Sequence, residues 1–215
     1  MAFTDREALI ALFRSTGGAG WRRRGNWGTD AELATWNGVE VNGHGRVVKL
    51  DLTRNNLQGA IPAQIGALTK LTWLDLSSNE LDGHIPPLLG NLGALQNLSL
   101  NDNKLDGQIP PQLGDVSSLE SLDLSRNKLN GPIPPELGNL SALLNLGLGN
   151  NWLSGELWSV VWFCIIFPDE SHQRRWSLET FKSPRNYCSS ATSSQVRLRV
   201  FCLSFQFLRN SRMSL

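Results

Sequence analysis

The chain has 215 residues, 40% of them hydrophobic, and a formal net charge of +1 at pH 7. That length allows a sizeable core, and the balanced charge gives no indication of binding to nucleic acid or to an anionic membrane. Residues 1–155 carry 12 basic and 15 acidic side chains, and the remaining residues carry 8 and 4. All three cysteines lie in this second part, which excludes a disulfide or thiolate-metal site from the first 155 residues.

The N-terminal sequence "MAFTDREALIALF" places charged residues where a secretory leader would be apolar, so we expect no signal peptide. The longest apolar run spans positions 157–167, and it is much shorter than the ~20 residues that a membrane-spanning helix needs. These features predict a cytoplasmic protein if Met1 is the true start, and an extracellular or membrane location if the N-terminus is incomplete.

The first element is a predicted helix. Thr4 and Glu7 have the spacing of a capping box, apolar residues follow at helical spacing, and Gly17 and Gly18 end the helix. Three tryptophans follow, and we interpret them as packed rather than functional: Trp21, Trp27 and Trp36.

A repeat with a period of about 24 residues follows the helix. "LDLSSNELDGHIPPLLGNL" at positions 74–92 recurs as "LSLNDNKLDGQIPPQLGDV" and as "LDLSRNKLNGPIPPELGNL". Leucines two positions apart with polar residues between them predict one half-buried strand per unit, and stacked units predict a parallel sheet. The units begin at Val47, Leu71, Leu95, Leu119 and Leu143.

Two further columns recur with the same period. The asparagines are predicted to bond to the backbone of their own and the neighbouring coil, and the glycines to allow a turn closed to other residues. The asparagines are Asn55, Asn79, Asn103, Asn127 and Asn151, and the glycines are Gly59, Gly83, Gly107, Gly131 and Gly155. Ile-Pro pairs after the glycines exclude regular helix there, so short 3₁₀ turns and extended pieces are expected.

The spacing L-x-x-L-x-L-x-x-N-x-L-x-G-x-I-P resembles the plant-type leucine-rich repeat. The preceding segment is similar to the N-terminal cap of plant and algal leucine-rich-repeat proteins and receptor ectodomains. The resemblance implies an α/β repeat solenoid: a right-handed superhelix with a parallel sheet on its concave side, a 3₁₀ and extended convex side, and a helical cap. Secreted relatives usually carry a cysteine pair in this cap, and Glu40 and Val41 stand in its place here, which agrees with a reducing compartment.

We therefore divide the chain into a cap (1–46), about five repeats (47–157) and a tail (158–215). The tail has no period, and we interpret it as an unstructured extension or as the product of a shifted frame or retained intron. The alternative is that the apolar run 157–167 folds back over the open end of the stack, where it could also mediate self-association.

No catalytic site is predicted. The phosphate-binding loop pattern is absent, and the three histidines, His44, His84 and His172, are too far apart in sequence to suggest a metal site. We expect no enzyme activity, no catalytic residue, no metal and no cofactor. His84 is interpreted as a solvated surface residue, and the sequons at Asn97 and Asn139 as products of the repeat pattern rather than glycosylation sites.

The residues between the strand leucines remain as the candidate binding site, because they can vary without harming the fold. Trp73 is either an interaction hot spot or a ring packed on the stem of Lys49. The acidic residues among them form either a solvated face or a surface for a basic partner. The predicted ligand-binding residues on the concave surface are Lys49, Asp51, Arg54, Trp73, Asp75, Asn97, Asn101, Asp102, Asp123 and Arg126.

These observations predict a non-enzymatic interaction module that binds a protein or peptide on its concave side, without nucleic acid or a membrane span. Two alternatives remain. The chain could be a fragment of a receptor or receptor kinase that lacks its leader, membrane span and kinase, or a structural scaffold that self-associates through its C-terminal end.

Overall fold

The structure is a computed structural model that describes residues 3–154 and 175–177. Its first element is helix α1, Asp5–Ser15, which begins with the predicted capping box: the Thr4 hydroxyl accepts from Glu7 N–H, and the Glu7 carboxylate accepts from Thr4 N–H. The helix ends at Ser15 with Thr16 as its C-cap, and Gly17 follows with a left-handed φ of 67°. Both ends of the helix therefore agree with the sequence prediction.

The cap, residues 3–46, packs its aromatic side chains together. Trp21, Trp27 and Trp36 are buried, and their neighbouring ring centroids lie 4.8 Å and 5.0 Å apart. Phe13 from α1 packs edge-on against Trp21 at 5.1 Å. This confirms the packing interpretation of the tryptophans, and it gives the cap a core that continues into the repeats.

The main sheet runs through the repeats. Strand β1, Val39–Val41, pairs antiparallel with β2, Val47–Asp51, through the turn at residues 42–46. Parallel to β2 follow β4, Trp73–Asp75, then β6, Asn97–Ser99, β7, Ser121–Asp123, and β9, Asn145–Gly147. Strand β11, Arg175–Ser177, pairs parallel with β9.

The opposite side of the stack contains two further pairs of strands and a series of 3₁₀ turns. Strands β3, Gln58–Ala60, and β5, Glu80–Asp82, form one parallel pair. Strands β8, Asn130–Pro132, and β10, Trp152–Ser154, form another. Each of the first four repeats also has a 3₁₀ turn after its Ile-Pro pair, at Ala63–Ala67, Pro87–Asn91, Pro111–Asp115 and Pro135–Asn139. The expected 3₁₀ and extended convex side is therefore present.

Stacked leucines form the core of the repeats. The strand leucines are buried in every unit, and they form one continuous cluster with α1 and the cap tryptophans. Burial of a leucine side chain stabilises the fold by roughly 1.5–3 kcal/mol. The leucine columns of the sequence therefore define the inside of a solenoid.

The asparagine column lies inside the turns as predicted. Asn79 Oδ1 accepts from the N–H groups of Asn55 and Leu57 in the preceding coil, and its Nδ2 donates to Leu52 O and Leu76 O. Asn103, Asn127 and Asn151 also donate to carbonyl oxygens of both coils, and each accepts from one N–H of the preceding coil, that of Leu81, Leu105 or Leu129. Each side chain thus satisfies buried backbone groups of two adjacent coils.

Some of the sequence predictions lie outside the described residues. They concern Gly155, the apolar run 157–167, His172 and the three cysteines. The other four column glycines have the predicted left-handed backbone, with φ between 69° and 97°.

Candidate ligand-binding face

The predicted site residues within the strands share one face of the sheet. Strand register places Lys49, Trp73 and Asn97 in one row, and Asp51 and Asp75 in a second row two residues further along each strand. Ser121 and Asn145 continue the first row, and Ser99, Asp123 and Gly147 continue the second. The leucine between the two rows is buried in each strand, so both rows lie on the concave surface.

Trp73 is the largest side chain in these rows, and 38% of its surface is exposed. The Lys49 Nζ lies 6.0 Å from the centroid of its ring, within the range of a cation–π contact. The same Nζ forms an ion pair with Glu40 Oε1 at 2.9 Å, and this hydrogen bond raises the pKa of Lys49. Lys49 therefore covers part of the ring, while the remainder of the Trp73 surface is open for a contact.

The acidic row has a structural role that the sequence analysis missed. Asp75 Oδ1 accepts from Ser77 N–H at 2.9 Å, Asp123 Oδ1 accepts from Ser125 N–H at 2.9 Å, and Asp51 Oδ1 accepts from Thr53 N–H and its hydroxyl. These are the side-chain turns that aspartate favours. The recurring Asp-x-Ser/Thr spacing in the sequence could have predicted these turns. Each carboxylate stabilises the end of its strand through one oxygen and keeps a second oxygen for other contacts.

The sheet ends in a row of residues with left-handed backbone, which we call the carboxyl edge. It consists of Arg54, Ser78, Asp102, Arg126 and Asn150, with φ between 53° and 58°. The N–H groups of the first four donate to carbonyl oxygens of the following coil. Outside glycine this conformation costs roughly 1–2 kcal/mol per residue. Three predicted site residues, Arg54, Asp102 and Arg126, are thus positioned by a constrained turn.

Four predicted residues meet in a shallow polar depression near this edge. It measures about 290 Å³, and its lining includes Asn101, Asp102, Asp123 and Arg126 together with Ser125, Gly149 and Asn150. Arg126 Nη1 lies 3.9 Å from Asp102 Oδ2. The predicted site therefore divides into two parts. One is the Trp73 region on β2, β4 and β6, and the other is this depression at the ends of β6, β7 and β9.

The described residues contain no group of three or more His, Cys, Asp or Glu side chains that could hold a metal ion. His84 lies on the surface as predicted, 77% exposed, with its Nδ1 2.8 Å from Asp106 Oδ1. No helix in the described part of the chain is long and apolar enough to cross a membrane.

Comparison with known proteins agrees with this geometry. The "Leucine rich repeat" family model matches residues 45–105, and a second "Leucine Rich Repeat" model matches residues 118–140. A comparison with curated protein sequences found no match.

Solved structures of similar fold include several plant proteins. A plant ice-binding protein is 32% identical over 70% of this chain and 49% of its own, with a TM-score of 0.64. The BIR3–SERK2 complex from Arabidopsis thaliana contains a chain that is 35% identical over 69% of this chain and 82% of its own, with a TM-score of 0.62. The ectodomain of the A. thaliana membrane receptor kinase GASSHO1/SCHENGEN3, in complex with CASPARIAN STRIP INTEGRITY FACTOR 2, is 36% identical over 71% of this chain and 19% of its own, with a TM-score of 0.67.

The fold and the concave face define a leucine-rich-repeat solenoid of the protein-interaction class. The chain belongs to the leucine-rich-repeat family, and its repeats are of the plant type found in receptor ectodomains. It spans about half the length of the ice-binding protein and a fifth of the GASSHO1/SCHENGEN3 chain. The predicted cytoplasmic location receives no support from these relatives, because the GASSHO1/SCHENGEN3 domain is an ectodomain.

Proposed function

We propose that this chain binds an extended protein or peptide segment on its concave face, with Trp73 as the central anchor. The observation that supports this proposal most strongly is the exposed Trp73 ring in a row whose neighbouring leucines are all buried. A large aromatic side chain gains most from desolvation when a partner covers it, and such residues are common among interface hot spots.

The residues around Trp73 can form hydrogen bonds with the backbone of a bound partner. Lys49 and Asn97 flank the ring in register on the adjacent strands, and Asp75 follows on the same strand. They offer an ammonium group, an amide and a carboxylate within a few strand spacings, each about 4.8 Å. An extended segment that crosses β2, β4 and β6 could place an apolar side chain on the ring and hydrogen-bond to the groups around it.

The relatives support a partner of this kind. The BIR3–SERK2 structure is a complex between proteins, and the GASSHO1/SCHENGEN3 ectodomain is in complex with CASPARIAN STRIP INTEGRITY FACTOR 2. We infer by analogy that this module also works outside the cell, as part of a receptor or beside one. Localisation of the endogenous protein with an antibody against residues 3–154 tests this inference, and signal confined to the cytoplasm would contradict it.

A matched pair of tryptophans tests the proposed anchor. Peptides selected from a random display library against the full-length chain are measured for affinity to Trp73→Ala and to Trp152→Ala. Trp152 is the control because it is also exposed, at 65%, but lies on β10 away from the main sheet. We expect Trp73→Ala to weaken binding by at least about tenfold, which corresponds to about 1.4 kcal/mol, and Trp152→Ala to change it little. Peptides that depend on Trp152, or on neither residue, would contradict the proposal.

A second function is favoured by one observation in the later strands. Uncharged amides and hydroxyls form the first row there, Asn97, Ser121 and Asn145, in strict register. A regular array of such groups is suited to an ordered surface, and one similar structure is a plant ice-binding protein. The assay is growth of ice crystals in the presence of the chain. Inhibition that is lost in Ser121→Lys would favour this function over peptide binding.

A further inference from the structure

An arginine-rich patch lies at the start of the carboxyl edge. Arg22, Arg23 and Arg24 are consecutive and exposed, and Arg54 is exposed on the turn that follows β2. Among the ion pairs of the described residues, none involves these four guanidinium groups. Residues 1–155 carry 12 basic and 15 acidic side chains, so these four positive charges form a local basic group in a segment of negative net charge. We call these four residues the arginine edge.

The backbone of this patch is held by the first asparagine of the repeat column. Asn55 is fully buried; its Oδ1 accepts from Arg23 N–H at 2.5 Å, and its Nδ2 donates to Arg23 O at 3.0 Å. Arg22 N–H donates to Asn55 O at 3.1 Å, and Asn56 Nδ2 donates to Gly20 O at 3.0 Å. The loop of three arginines is therefore fixed against the turn that carries Arg54.

Two of the side chains are also restrained. Arg23 Nη2 donates to Thr53 O at 2.6 Å, and Arg24 Nη1 donates to Ala19 O at 2.9 Å. A guanidinium group has five N–H donors, so each of these arginines keeps further donors for a ligand. Restraint before binding lowers the entropy lost when a partner is bound.

We propose that the arginine edge binds an acidic segment, rich in Asp or Glu, of the partner that lies on the concave face. This inference rests on the proposed function and adds the chemistry of the partner. Arginine is suited to the task because its planar donors pair with a carboxylate in two parallel hydrogen bonds. The edge adjoins β2, so a chain that crosses Trp73 reaches it within a few residues.

Other anionic macromolecules fit the patch less well. Single-stranded nucleic acid is held by exposed aromatic rings as well as by positive charge. The aromatic residues beside this loop, Trp21 and Trp27, are buried.

The test measures binding of fluorescein-labelled octaglutamate to the full-length chain by anisotropy, at about 50 mM and about 200 mM NaCl. The variant is Arg22→Gln with Arg54→Gln, because neither side chain has a hydrogen-bond partner among the described residues. The control, Lys70→Gln with Lys128→Gln, removes the same charge from two exposed lysines elsewhere. Thermal unfolding verifies that both variants are folded.

We expect the arginine variant to bind octaglutamate about five- to tenfold more weakly and the lysine control to stay within about twofold of the wild type. Absence of octaglutamate binding to the wild type, or equal losses in both variants, would overturn the proposal. Tighter binding of octathymidylate with the same arginine dependence would also overturn it, since the edge would then be a general polyanion site. Octaglutamate has no aromatic or apolar group for Trp73, so failure here and failure of the Trp73 anchor are separate results.

Discussion

The cap and the repeats build one continuous core from different kinds of contact. In the repeats, the same leucine and asparagine contacts recur from one unit to the next. In the cap, each contact occurs once: the packed tryptophans, the capping box and the ion pair between Asp5 and Arg46. The comparison shows that equivalent substitutions in different repeats should have similar effects, whereas each cap residue needs its own explanation.

The largest expected effect comes from the leucine columns. Leu98→Ala removes a fully buried side chain from β6 and should lower the free energy of unfolding by about 3–5 kcal/mol. Leu122→Ala, at the equivalent buried position of β7, should cost a similar amount, because both side chains pack against a leucine from each neighbouring coil. Urea unfolding of both variants measures this. Costs that differ by more than about 2 kcal/mol would show that the repeats are not equivalent.

The asparagine column should give the next largest effect. Asn79→Ala leaves the N–H groups of Asn55 and Leu57 without partners and should cost about 2–4 kcal/mol. Asn101→Ala is the control, since that side chain lies on the concave surface and should change stability by less than about 0.5 kcal/mol. Hydrogen exchange at Leu57 N–H gives a second readout. Unchanged protection of that amide in Asn79→Ala would contradict the assigned role.

A smaller effect is expected for Asp5, which pairs with Arg46 inside the cap and also accepts a hydrogen bond from Val47, the first residue of the repeats. Asp5 accepts two hydrogen bonds at 2.9 Å from the Arg46 guanidinium and a third at 2.8 Å from Val47 N–H. The carboxylate raises the pKa of Arg46 through these hydrogen bonds. Asp5→Ala should cost about 1.5–3 kcal/mol. Asp30→Ala, an exposed acidic residue of the cap, is the control for lost charge in thermal unfolding, and equal losses in both would refute a specific role for Asp5.

The smallest effect concerns the capping box at different pH. The N–H and hydroxyl of Thr4 donate to the Glu7 carboxylate and lower the pKa of Glu7. Because the folded-state pKa is lower than the unfolded one, the ionised group stabilises the fold at neutral pH, and this stabilisation is lost as the pH falls through the folded pKa. The difference in melting temperature between wild type and Glu7→Gln should therefore shrink below about pH 4. A difference that is constant or larger at low pH would contradict this.

Much of the fold could be predicted because its contacts repeat. A leucine or asparagine that recurs at a fixed period indicates a side chain in the same environment in every coil, and Thr4 with Glu7 indicates a helix start from local geometry alone. The structure places all of these residues as expected. The concave rows could be predicted for the same reason, since strand alternation fixes which face a residue occupies.

Contacts without a periodic or local signal could not be predicted. The bonds between Asn55 and Arg23 join residues 32 positions apart in regions of different pattern. The left-handed positions at the carboxyl edge carry Arg, Ser, Asp, Arg and Asn. Because no single residue type is common to all of them, the residue types do not predict this conformation, which is imposed by closure of the coil. Close approach at Gly90, where an added Cβ would overlap the Gln112 carbonyl, likewise depends on the spacing between coils.

The hydrogen bonds between Asn55 and the cap also show how the first repeat is joined to the segment before it. The amide of Asn79 forms hydrogen bonds with an N–H and a C=O group of the preceding repeat. The amide of Asn55, in the first repeat, forms the same two kinds of hydrogen bond with the N–H and C=O groups of Arg23. The loop at Arg23 thus takes the place of a preceding coil in these hydrogen bonds. Duplication of one repeat unit inside the array would widen the concave surface by one strand, about 4.8 Å, and leave the cap junction intact. Internal duplication would therefore lengthen the concave face while the hydrogen bonds at Arg23 stay the same.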